Sequence, residues 1–83
     1  MPRKRKHVNP HDEEIYMLER EIVYLQRNRE RAREMAETYD DMGFEDYATA
    51  KRSDIRRYND AIRAVERQIR QLRHESVLEG VGD

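Results

Sequence analysis

Residues 40–46 read Asp-Asp-Met-Gly-Phe-Glu-Asp, and they interrupt what is otherwise a long helical pattern on both sides. Four of these seven residues are acidic, and Gly43 is the only glycine before residue 80. Glycine adopts the left-handed conformation that ends helices without steric cost, and the residue after it can fold back as an apolar contact. Gly43 is therefore expected to be a pivot, with Phe44 as that contact. Glu45 and Asp46 then stand at the start of a second helix, where the macrodipole favours acids. Asp40 and Asp41 stand at the end of the first, where each is disfavoured by about 0.3 to 1 kcal/mol at low salt. Local stability explains the second pair of acids and not the first.

The flanking sequences agree with a turn at this point. Before it, Ile15, Leu18, Ile22, Leu25, Arg29, Ala32, Ala36 and Tyr39 recur in alternating steps of three and four, which is a heptad seam. After it, Ala48, Lys51, Ile55, Tyr58, Ile62, Val65, Ile69 and Leu72 do the same. If the chain folds back between Gly43 and Phe44, facing seam residues have numbers that sum to 87, as in Ile15 with Leu72, Ile22 with Val65, and Tyr39 with Ala48. Each a position then faces a d position, the layer pattern of an antiparallel helix pair. Large aliphatics fill the four layers furthest from the turn, so the base is expected to be tightly packed and the tip looser. Arg29 faces Tyr58, where its guanidinium can stack on the ring or reach past the seam edge.

The predicted architecture is all-α. A two-helix antiparallel coiled-coil hairpin spans 12–79 (helix 12–41, turn 42–44, helix 45–79), between a basic flexible arm at 1–11 and a flexible tail at 80–83. Asn9 or Asp12 is suited to cap the first helix, and Pro10 to occupy its first turn.

Composition supports this economy. The chain has 83 residues, 42% charged and 36% hydrophobic, which leaves room for one thin domain and argues against an enzyme-type core. With no cysteine there are no disulfides or thiolate metal sites, which is compatible with a reducing compartment. No apolar run approaches the roughly 20 residues that span a bilayer, so no membrane association is expected. A cytoplasmic location follows, or a nuclear one in a eukaryotic source.

Arg3, Lys4, Arg5 and Lys6 form a basic run with no acid among residues 1–11. Removing those four from the 17 basic residues leaves 13 against 18 acidic ones, a net of −5 on the body. The arm can contact phosphates through counterion release, which makes nucleic acid a candidate partner. PRKRKHV also resembles a short basic nuclear localisation signal. Arg52, Arg56 and Arg63 are the body's candidates for phosphate contact. Most other charges are expected to pair along the helix surface, as Arg56 with Asp60 and Glu66 with Arg70.

His7 and His11 are too few for a metal site, and neither Ser53 nor Ser76 stands in a hydrolase-like arrangement with a histidine and a carboxylate. No catalytic residue, metal or cofactor is expected, and the function is read as non-enzymatic. Tyr16, Met17, Val23 and Tyr24 are apolar residues of the first helix outside its seam, while Ala61 and Ala64 leave the second helix open to close approach. They predict a second interface, either a homodimer forming a four-helix bundle or a protein partner. At the other end, Asp40, Asp41, Phe44, Glu45 and Asp46 form a candidate partner-binding tip.

Leu18-Glu19-Arg20-Glu21-Ile22-Val23-Tyr24-Leu25, the acids at the turn, and Tyr47-Ala48-Thr49-Ala50-Lys51 together resemble the N-terminal coiled coil of Gre-type transcript cleavage factors. The likeness spans residues 15–78. It implies a hairpin that enters the RNA polymerase secondary channel and uses acidic tip residues to help hold a catalytic metal. The family's conserved tip is longer, and these residues include no counterpart of its globular C-terminal domain. The segment Gly43-Phe44-Glu45-Asp46-Tyr47-Ala48 also resembles the turn of short interaction hairpins in repair proteins. Both likenesses are to hairpins that dock on larger machines. A small viral or phage accessory protein, an assembly factor or an inhibitor fits the same shape.

Overall fold

A computed structural model describes residues 11–81, with side-chain surroundings through residue 75. Two helices, α1 (Asp12–Asp41) and α2 (Glu45–Val81), pack against each other as an antiparallel hairpin measuring 61 × 29 × 10 Å. The basic residues Arg3 to Lys6, together with Asn9, Pro10 and the last two residues of the expected tail, lie outside the described residues.

His11, rather than Asn9 or Asp12, is the N-cap of α1. Its carbonyl accepts the Ile15 N–H at 2.8 Å, and no side-chain hydrogen bond caps this end. Asp12 is thereby the first of three acids, with Glu13 and Glu14, inside the first turn. There it opposes the positive pole of the macrodipole instead of serving as the cap.

The turn is built as a Schellman motif. Gly43 has φ 81°, its N–H donates to Asp40 O at 3.0 Å, and the Phe44 N–H donates to Tyr39 O at 2.8 Å. The Phe44 ring lies 6.5 Å from that of Tyr39, which supplies the apolar contact expected of such a cap. The Phe44 carbonyl then accepts the Ala48 N–H at 3.0 Å and opens α2. One residue therefore both closes the first helix and starts the second. α2 continues through Gly80 to Val81, two residues past the predicted end.

The seams explain why the chain must turn. Continued beyond Tyr39 in alternating steps of four and three, the α1 stripe would pass through 43, 46 and 50, whereas the α2 stripe begins at Ala48. An offset of two residues is about 200° of rotation at 3.6 residues per turn. In an uninterrupted helix the stripes would face nearly opposite directions, and only folding back brings them together.

All eight predicted seam pairs are buried or half-buried on both sides. The register follows the mirror rule: Arg29 Nη1 donates to Asn59 Oδ1 at 2.9 Å, and His11 Nε2 lies 3.5 Å from Glu75 Oε1, each within one residue of the expected opposite number. Arg29 thus reaches past Tyr58; its Nε is buried without a hydrogen-bond partner. Among the described residues the cation–π contact is Arg20 over Tyr16, at 5.8 Å.

The expected loosening toward the tip is not seen in the burial. Ala32, Ala36 and Ala48 are as thoroughly covered as Ile15, Leu25, Ile62 and Ile69, and Ala48 has 0% exposure. Tyr39 and Lys51 are half-buried in these layers beside the covered alanines, so packing stays closed while the apolar area per layer falls.

Candidate interaction surfaces at the tip and base

The tip is more aromatic than its acidic sequence suggests. Tyr39, held half-buried in the seam, lies 5.3 Å centroid to centroid from Tyr47, and Phe44 meets Tyr47 edge-on at 6.0 Å and 86°. These separations are those of attractive ring pairs. The outer members stay open to solvent: Phe44 is 45% exposed, Met42 56% and Tyr47 62%. Gly43, Phe44, Glu45, Asp46 and Tyr47 line a shallow open depression of about 360 Å³. Sequence reasoning singled out Phe44 but missed Met42 and Tyr47. The signal was the i, i+3 spacing of Phe44 and Tyr47, which places both rings on one side of the first turn of α2.

The acids of the tip divide into two kinds. Asp40 is paired across the hairpin with Arg52, which gives it the local cause that its place at a negative helix pole denied it. Asp41, Glu45 and Asp46 are exposed, and Glu45 and Asp46 line the same depression as Phe44 and Tyr47. Asp41 alone combines an unfavourable helix pole with no ion-pair partner among the described residues, and α1 has no basic residue in its last turn.

The same pairing changes the view of the basic body residues. Arg52 is engaged by Asp40, and Arg63 Nη1 sits 3.1 Å from Asp60 Oδ1. Asp60 is therefore taken by Arg63, not by Arg56 as its i, i+4 spacing suggested. Of the three arginines read as phosphate candidates, Arg56 remains without an ion pair among the described residues. The second cross-helix ion pair, Glu19 with Arg73 at 2.8 Å, lies on the same flank as Asp40 and Arg52. These are e positions on both helices, which face each other when a faces d.

At the base, Tyr16, Met17, Val23 and Tyr24 are between 46% and 62% exposed. They occupy the b and c positions of α1, on the side turned away from α2. Ala61 is half-buried beside the seam and Ala64 is exposed. Among the described residues no cluster of acids and histidines could hold a metal ion, and no helix is long and apolar enough to cross a membrane.

The sequence matches no family model, no curated protein and no solved structure.

Proposed function

We propose that this hairpin is a non-enzymatic interaction module that docks its tip onto a larger macromolecular assembly. The observation that carries this reading is the exposed cluster of Met42, Phe44 and Tyr47 at the end of a rod 61 Å long. Phe44 and Tyr47 each turn part of their ring toward Tyr39, but the faces left open cost solubility, so their value lies in what covers them. Asp41, Glu45 and Asp46, which have no ion-pair partner among the described residues, lie in the same turn and helix start, and they fit an apolar recess rimmed by lysine or arginine. A rod with its recognition surface at the apex suits a narrow opening or a cleft between subunits. An accessory, assembly or inhibitory role belongs to this class.

The acidic-tip reading implied by the Gre resemblance is less favoured. The Arg52 guanidinium occupies the Asp40 carboxylate, which takes one of four acids out of any set available to a metal or a basic channel. Nothing about the basic arm adds to its reading as a nucleic-acid contact.

Affinity capture from the source organism, comparing the wild type with Tyr47→Ser combined with Met42→Ser, tests the proposal. The expected result is a defined partner retained by the wild type, lost with the tip variant, and released by raised salt. Both positions lie outside the seam, and Tyr47→Ser removes a ring contact with Tyr39 at its last layer only, so circular dichroism should still show a folded hairpin. A partner set unchanged by the tip substitutions removes the tip as the docking surface.

A further inference from the structure

The outer face of α1 has an internal symmetry that the seam does not require. Counted from Arg20, Tyr16 and Tyr24 lie four residues to either side, Met17 and Val23 three to either side, and Glu13 and Arg27 seven to either side. At 100° per residue all of these fall within about 60° of the Arg20 direction, forming one stripe on the side of α1 opposite α2. A two-fold axis through Arg20, perpendicular to the helix, lays Tyr16 on Tyr24, Met17 on Val23 and Glu13 on Arg27 of a second copy. The apolar pairs match like with like, and the charged pair matches opposite signs, twice over. This self-complementarity is what an isologous contact demands.

We propose that this stripe is the interface of an antiparallel homodimer, in which α1 packs on α1 of a second copy about an axis at Arg20. Glu13 and Arg27 are both exposed, and neither has an ion-pair partner among the described residues, so each is available to the other copy. Arg20, the one residue that meets itself, is already turned aside: its guanidinium lies 5.8 Å over its own Tyr16 ring. That position takes the two like charges off the axis. Aromatics offer roughly 150 to 250 Å² each, so the four half-exposed side chains present on the order of 500 Å² per copy. The pair then buries about 1,000 Å², the lower limit of a specific interface. The dimer is accordingly reversible, and its helices lie in a flat row, α2, α1, α1, α2, rather than in a square four-helix bundle. The two tips point in opposite directions, about 70 Å apart at 1.5 Å per residue from the axis. A module with one docking tip thereby becomes a bivalent strut. This inference goes beyond the tip reading, and either can fail while the other stands.

The absence of cysteine from the sequence makes single-cysteine reporters unambiguous. Sedimentation of the full chain is expected to show a concentration-dependent dimer in the tens of micromolar. With a short thiol-reactive crosslinker, Arg20→Cys is expected to link to itself. Arg27→Cys, about 21 Å from its counterpart across the axis, is not, but a mixture of Glu13→Cys with Arg27→Cys is expected to link. Glu13→Arg or Arg27→Glu alone should each weaken the dimer roughly three- to tenfold, and the double exchange should restore it. A strictly monomeric chain at high micromolar concentration overturns the proposal. So does self-linking of Arg27→Cys as fast as that of Arg20→Cys, or failure of the charge exchange to rescue.

Discussion

Replacing Gly43 by alanine tests the turn directly, because the structure isolates one cause. A Cβ built at Gly43 has nothing within 4 Å, so the substitution meets no neighbour. What remains is the φ of 81°, a conformation that costs an L-residue about 1 to 2 kcal/mol. The more restricted unfolded chain of alanine offsets this only where the native conformation suits it, and here it does not. Gly43→Ala is therefore expected to destabilise the hairpin by about 1 to 2 kcal/mol, a fall in Tm of roughly 4 to 15 °C for a domain of this size. Helix content should be unchanged at low temperature, since the opposed stripes deny a continuous helix any single seam. Gly80→Ala is the internal control: Gly80 lies within α2, where alanine is the better helix former, so this change should not lower Tm. Thermal unfolding followed by circular dichroism at a fixed concentration reads both. A Gly43→Ala protein that melts at or above the wild type would refute the argument that the left-handed cap holds the turn.

Asp41→Asn should raise stability by about 0.3 to 1 kcal/mol at low salt, because it removes an unpaired charge from the negative pole of α1; the gain should shrink in 1 M salt. Asp40→Asn should change little in the same denaturation assay, since loss of the half-exposed pair with Arg52 offsets the same relief. Ala48→Leu should cost about 1 to 3 kcal/mol by overpacking a site with no exposure, whereas Ala50→Leu on the open surface should be nearly neutral. Arg29→Leu should stabilise the hairpin by about 1 kcal/mol in urea denaturation, because an apolar side chain replaces a guanidinium whose Nε is buried without a partner. A loss of stability in that variant would mean that the bond to Asn59 contributes more than the seam gains.

Much of this fold is legible in the residues because a hairpin has few degrees of freedom. Two stripes of period 3.5 and one glycine between them admit a single mirror, and the mirror sets the register to within one residue at Arg29 and Asn59. The Schellman cap was legible for the same reason: only Gly43 takes the required φ without penalty, and Phe44 follows it. The N-cap was less so, because His11 caps through its backbone carbonyl, an ability every residue shares.

Burial near the tip could not be read from residue size, since how closely two backbones approach depends on both helices at once. The e-to-e pairing of Asp40 with Arg52 was missed because helix-surface charges are ordinarily matched at i, i+4 within one helix. Of the tip aromatics the sequence singled out Phe44 alone, because the seam pattern absorbed Tyr39 and Tyr47 belongs to no seam.

The sequence by itself determined that there are two helices, where they turn, and which stripe of each faces the other, since periodicity and one left-handed residue are local properties. Only the tertiary structure decided which charges are paired across the hairpin and which stay open to solvent. That distinction depends on distances across the hairpin, between residues far apart in the chain. It gives Asp40 to Arg52 and leaves Glu45 and Asp46 exposed in one depression with Phe44 and Tyr47.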